Sequence, residues 1–347
     1  MNRKIIIISA IAGLGVIAGL LYWAISVQKE SENPAFVQPQ IRKVLDEKTI
    51  SPIPSYDNSS IWYFSEDGRL FKVNIDGSGL SEFPLPEYSI DLKKVLWPKT
   101  GTDFLAIGIP PIQGGVLPVE SKSYYDSADK SYVYLRPNVQ SIDWLPDSQR
   151  VVYIWKPSDG QSPSLVVADA DGSGFRKVSD VFWPDLVVKA SNDGRSVLLY
   201  RSQMQGDTNK IYLADLASGG ISTAVESGIN LGASWFSSGS QFVYAQLSDA
   251  IYSKLYVYDL ISKTSKSLNL TTNLDKILID RDNKFIYAAV PKVGTGSDQF
   301  IKLDLGNLKQ EIYFDPPDYV SAKDLMMVGN TLYFVNSRDG KLYSIIK

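Results

Sequence analysis

Apolar and polar positions along this chain fall in short runs that recur in phase. Seven times an apolar stretch leads into a tight polar doublet and then into a stretch of β-branched and aromatic residues. The doublets are Asp57-Asn58, Thr100-Gly101, Asp147-Ser148, Asp193-Gly194, Ser238-Gly239, Asp282-Asn283 and Gly329-Asn330. They are spaced by about 43 to 47 residues, the period of a four-stranded propeller blade. The stretches that follow them, IWYF, FLAI, VVYIW, VLLY, FVYA, FIYAAV and LYFV, have the composition of buried strands.

A third strand stays in register with these. LFKVNI, LVVADA, IYLADL, LYVYDL and FIKLDL place Asn74, Asp169, Asp215, Asp259 and Asp304 at one equivalent position. Gly-rich or polar turns follow, such as IDGSG from Ile75 to Gly79 and ADGSG from Ala170 to Gly174, and these suit hairpins into a fourth strand. The pattern predicts an all-β chain, a seven-bladed β-propeller of four-stranded antiparallel blades. Blade 2 departs from the rule between Ile109 and Ser131. There Val116–Ser121 reads as the third strand, Tyr124–Lys130 as the turn and Ser131–Arg136 as the fourth strand, with Pro118 marking irregularity. The last repeat stops at LYSIIK, one strand short, while Ile41–Thr49 reads as a fourth strand with no blade of its own. Pairing the two closes the ring and removes exposed edges.

Ahead of the repeats, residues 5–27 form an uncharged apolar run of about 23 residues, which as a helix spans about 35 Å and crosses a bilayer. Arg3 and Lys4 precede it, and Lys29, Glu30 and Glu32 follow, so the positive-inside bias keeps residues 1–4 in the cytoplasm and everything after the span outside. Tyr22 and Trp23 suit the outer headgroup level. A cleavable signal peptide is the rival reading, with Ala24-Ile25-Ser26 as its site. The run exceeds the roughly 7 to 15 apolar residues such peptides carry. Gly15 and Gly19 form a GxxxG that can bring two such helices together as a homodimer. Residues 28–40, with charges and two prolines, read as a flexible linker, and 41–347 as the propeller.

Composition then narrows the chemistry. The chain has 347 residues, no histidine, no cysteine and a formal net charge of −3. Imidazole bases, thiolate nucleophiles, disulfides and His or Cys metal ligands are therefore excluded, and no basic footprint for nucleic acid is present.

The phrases Ser141-Ile-Asp-Trp144-Leu-Pro-Asp147-Ser148, Ala233-Ser-Trp235-Phe-Ser-Ser238-Gly239 and Trp97-Pro-Lys-Thr-Gly101 resemble the Trp-Ser-Pro-Asp-Gly signature of TolB-type propeller repeats. The resemblance covers about Ile41 to Lys347, and implies a propeller. TolB itself has six blades where seven repeats are counted here.

The acidic third-strand position is explained by turn chemistry, in which short carboxylates accept hydrogen bonds from nearby amides. Asp169–Gly174 lacks the distant Glu of a calcium loop and reads as a hairpin. No Gly-x-Ser-x-Gly elbow occurs, and Ser191-Asn-Asp193-Gly194 is too short for the Asp-box of sialidases. No catalytic, metal or cofactor residue is assigned. Among 20 tyrosines and 7 tryptophans, Tyr124, Tyr125, Trp183, Tyr252 and Tyr319 fall outside the strand phases and are the candidates for contacting a partner. The expectation is a membrane-anchored, extracytoplasmic, non-catalytic module that binds or scaffolds an envelope protein, peptide or glycan. The alternatives are a carboxylate-dependent glycan or peptide hydrolase and a structural subunit of an envelope assembly.

Overall fold

The repeat works because its second strand has two apolar faces. In blade 3, Arg150–Trp155 sends Val151 and Tyr153 into the junction with blade 2, and Val152 and Ile154 into the junction with blade 4. Period-two alternation thus lets one strand feed two cores, which is why these strands lack a polar face. The apolar interior is divided into seven clusters, one at each junction between neighbouring blades.

The computed structural model describes residues 39–87, 90–111, 119–201, 208–248 and 252–346. They form seven four-stranded antiparallel sheets, each a meander in chain order except the last. The first strands are Ile50–Pro54, Asp91–Leu96, Val139–Trp144, Leu186–Ala190, Gly232–Trp235, Ile277–Ile279 and Ala322–Val328. First strands of blades 1 and 2, 3 and 4, 4 and 5, 6 and 7, and 7 and 1 pack against each other, which makes them the inner ring. The apolar run 5–27 with Gly15 and Gly19, and linker residues 28–38, lie outside the described residues. Among the described residues no helix is long and apolar enough to cross a membrane.

Blade 7 draws on both ends of the repeat region. Its sheet order is Gln40–Lys48, Lys341–Ile346, Thr331–Asn336, Ala322–Val328. Leu45 is buried with Met326, Val335 and Leu342 of that blade and with Ile61, Tyr63 and Val73 of blade 1. The Tyr63 hydroxyl donates to Glu47, the Thr49 amide donates to the Gly340 carbonyl at 2.9 Å, and Tyr333 Oη donates to the Ile75 carbonyl at 2.8 Å. The closing strand therefore joins the last blade and the first at once.

Blade 2 corrects the sequence reading. Its third strand is Ser121–Asp126, not Val116–Ser121, and pairs residue by residue with Phe104–Gly108. Residues 116–118 lie outside the described residues. The turn is therefore 127–130, and Tyr124 and Tyr125 lie in a strand rather than a loop. The SKSYYD run looks too polar for a third strand, yet Lys122, Ser123 and Tyr125 are all buried. The fourth strand, Ser131–Tyr134, ends two residues before its expected end.

The acidic positions are turn acceptors, as expected. Asp215 Oδ1 accepts from the amides of Ala217 (3.1 Å) and Ser218 (2.7 Å), Asp259 Oδ1 from Ile261 (3.0 Å) and Ser262 (2.8 Å), and Asp304 Oδ1 from Gly306 (2.7 Å). Asp126 does the same in blade 2 for Ala128 and Asp129, a member of the series hidden by the misplaced strand. Asp169–Gly174 is a hairpin turn, with the Asp169 amide donating to the Ser173 carbonyl at 3.0 Å.

Candidate functional site

The doublets that mark the period are the turns between first and second strands. In blades 1 to 6 the second member has positive φ, between 55° at Asn58 and 93° at Gly101, which explains why Asn, Ser or Gly stands there. These turns bond to one another at one end of the ring. The Thr100 amide donates to Ser148 Oγ (3.1 Å), Lys99 Nζ to the Asn192 carbonyl (2.9 Å) and Asn192 Nδ2 to the Phe236 carbonyl (2.9 Å). The Ser237 amide donates to Asn283 Oδ1 (3.0 Å), and Arg281 Nη2 to Asn58 Oδ1 (3.2 Å), bringing the series back to blade 1.

Within it, the hydroxyls of Ser55 and Ser59 and the Ser59 amide all donate to Asp57, from 2.6 to 3.1 Å. These bonds, led by Ser55, hold its carboxyl down to about 2 from the ordinary 3.8. A depressed carboxylate contributes stability above its unfolded value that is lost as pH falls through its folded one. A carboxyl-carbon NMR titration should give a midpoint of about 2 for Asp57, and Ser55→Ala should move it toward 3.8. An unchanged midpoint in that variant would remove Ser55 as the cause.

Charges gather around the axis. Lys94, Asp143, Lys189 and Asp324 sit on the first strands of blades 2, 3, 4 and 7. Lys94 is water-accessible yet feels charges from blades 3, 4 and 7 together, as a residue on the inner ring must. Burial, and next Lys189, hold its ammonium below the usual range. Burial pushes the Asp324 carboxyl up, while Asp143 leads in raising Lys189. Asp143 Oδ2 also accepts the Ala190 amide at 3.0 Å and so ties blade 3 to blade 4. No sequence argument singled out these four residues.

A cavity of about 550 Å³ opens between blades 2 and 3, well within the range of ligand sites. It exists because the outer strand of blade 2 is only four residues long, Ser131–Tyr134, and the chain then leaves at Leu135 and Arg136 for blade 3. The face of blade 3 that carries Tyr153, Trp155, Ser164 and Val166 is left open at its outer end. Exposed Tyr134 and Phe175 flank it.

Tyr153 is 4% exposed, and its hydroxyl meets no partner among the described residues and opens to the cavity. Burial pushes that hydroxyl up, and nearby Arg136 opposes the shift. At the same register position Tyr63 of blade 1 is met by Glu47. Trp155 stands at the end of a second strand and differs from the tryptophans at the first strands. The indole N–H groups of Trp97, Trp144 and Trp235 donate to the carbonyls of Ser51, Leu96 and Lys189 on the preceding blade, at 2.8 to 2.9 Å. Trp155 lines the cavity, and its indole N–H has no such acceptor.

The lining acids are committed elsewhere. Asp159 accepts from the amide and side chain of Gln161, Asp171 from the Ser173 amide, and lining Lys177 pairs with Asp180 at 2.5 Å. Arg136 lines the cavity with no carboxylate bound to it among the described residues.

The aromatic candidates read from sequence are scattered by the structure. Tyr125 is fully buried and stacked on Phe104, with ring centroids 4.7 Å apart. Tyr124 packs edge-on to Trp144 and donates to Asp103 at 2.8 Å. Trp183 is half-buried against the junction of blades 3 and 4, beneath the Arg201 guanidinium. Tyr252 is half-buried before the third strand of blade 5. Tyr319 is exposed, with Arg338 over its ring at 5.8 Å. None of the five lines the cavity between blades 2 and 3.

No protein-family model matches the chain, and no curated protein matches it. Solved structures do. An oligogalacturonate lyase from Vibrio parahaemolyticus is similar over 90% of this chain and 94% of its own, at 9% identity and a TM-score of 0.63. The Cps50 (Swd1) β-propeller domain of Myceliophteria thermophila is similar over 88% and 99%, at 10% identity and a TM-score of 0.60. TolB from Acinetobacter baumannii is similar over 85% and 78%, at 13% identity and a TM-score of 0.44. At identities of 9 to 13% the likeness speaks for the propeller fold alone.

Proposed function

We propose that the chain is a non-catalytic binding module, held at a membrane by residues 5–27 with its propeller outside the cytoplasm, which recognises an envelope protein, peptide or glycan. The observation that carries the binding reading is the cavity between blades 2 and 3. There the Tyr153 hydroxyl, whose blade 1 counterpart Tyr63 is bonded within the fold, and the Trp155 indole N–H meet no partner among the described residues, beside exposed Tyr134 and Phe175. Aromatic faces around a few convergent polar groups are what a recognition site needs. The membrane part rests on the length of the apolar run and the charges flanking it.

A photo-crosslinking residue in place of Phe175, in the full chain in living cells, should give a discrete adduct. The same residue in place of Phe182, which is 79% exposed and does not line the cavity, should not. Equal labelling at both positions, or none at either, would sink the reading.

A further inference from the structure

The cavity between blades 2 and 3 is rich in donors that lack acceptors. Tyr153 brings a hydroxyl on a ring that is 4% exposed, Trp155 an indole N–H and Arg136 a guanidinium, and none of the three has a hydrogen-bonding partner within the described residues. Indole and guanidinium can only donate. With the Tyr153 hydroxyl opening to the same space, three donors converge there, and the site suits a guest that brings acceptor oxygens.

Two further features limit the guest. Arg136 offers a planar fork that matches a carboxylate with two parallel bonds, and among the described residues no carboxylate is bonded to it. The walls alternate ring faces, from Tyr134, Trp155 and Phe175, with donors and acceptors such as Gln161. Such a lining suits a body with weakly polar C–H faces and polar edges, rather than a wholly apolar one. On this basis, and resting on the binding reading above, we infer that the cavity takes an acidic saccharide. The carboxylate of a hexuronate sits on Arg136, its ring lies against the aromatic faces, and the Tyr153 hydroxyl and Trp155 indole donate to its oxygens. A volume of about 550 Å³ accommodates one or two sugar rings.

The test is calorimetric titration of the full-length chain, in a detergent without a sugar headgroup, with a glucuronate-containing disaccharide and with its neutral glucose counterpart. The acidic disaccharide should bind at least about tenfold more tightly, the factor that corresponds to about 1.4 kcal/mol. Arg136→Gln should erase that preference, and Tyr153→Phe should weaken both sugars about threefold to tenfold, as loss of one hydrogen bond does. Melting temperatures close to that of the parent chain establish that both variants are folded. Absence of binding by the acidic sugar at millimolar concentration overturns the inference, as does a preference that survives Arg136→Gln. So does binding of a carboxylate-terminated dipeptide in place of the sugar. If the Phe175 adduct forms while the acidic sugar fails to bind, the binding reading stands and the saccharide assignment falls.

Discussion

Deleting Ile41–Thr49 is expected to leave a chain with no cooperative unfolding transition. The segment supplies the outer strand of blade 7, buries Leu45 among residues of blades 7 and 1, and carries the bonds from Tyr63 to Glu47 and from Thr49 to Gly340. Burial of one leucine is alone worth about 2–5 kcal/mol when truncated to alanine. A whole strand and its ladder bonds add more, against a total stability of about 5–15 kcal/mol for a folded domain. The loss also opens a ring in which each blade has relied on two neighbours. The measurement is urea denaturation followed by tryptophan fluorescence. Appending the same residues after the C-terminus by a short linker should restore the transition, because the sheet needs the strand and not its place in the sequence. A sharp transition in the deleted chain, at the same urea midpoint as the parent, would falsify the closure.

The second large effect lies at the neighbouring junction. Asp298 is fully buried, receives Lys276 Nζ at 2.8 and 2.9 Å and accepts the Ala322 amide at 2.6 Å, so one carboxylate holds blade 6 to the first strand of blade 7. Removing one member of a buried pair strands the other, at a cost of about 3–5 kcal/mol. Asp298→Ala should therefore lower stability by about that amount in denaturant unfolding. The double variant Asp298→Ala, Lys276→Met should lose less than the two single losses combined, since it removes the stranded ammonium. Additive losses would mean that the pair is not coupled.

Much of this architecture is legible in the sequence, for a physical reason. Blade strands must feed two junctions, so Val151–Ile154 and its counterparts are apolar at every position, and turns with positive φ demand Asn, Gly or Ser at fixed intervals. The missing outer strand of the last repeat and the unassigned strand at Ile41–Thr49 likewise leave one economical pairing. Blade 2 reads poorly because Ser121–Asp126 buries a lysine and a serine behind two tyrosines, and polarity alone hides such a strand. The cavity was not legible at all. Sequence points instead to the break in period from Ile109 to Lys130, and to aromatics outside the strand phases. Tyr153 lies in phase, and its difference from Tyr63 is a missing partner, which only the packing of blade 2 against blade 3 reveals. The axial charges escaped for a similar reason, since Lys94, Asp143, Lys189 and Asp324 are far apart in the chain and share only their place on first strands.

The closing strand also sets a schedule. Gln40–Lys48 is among the first parts of the propeller to be synthesised, and its partner Lys341–Ile346 among the last. At about 5–20 residues per second, some tens of seconds separate the two. During that interval Leu45 has only the blade 1 half of its core to enter, and the strand presents a bare edge. Six blades can be complete while the seventh waits for its outer strand.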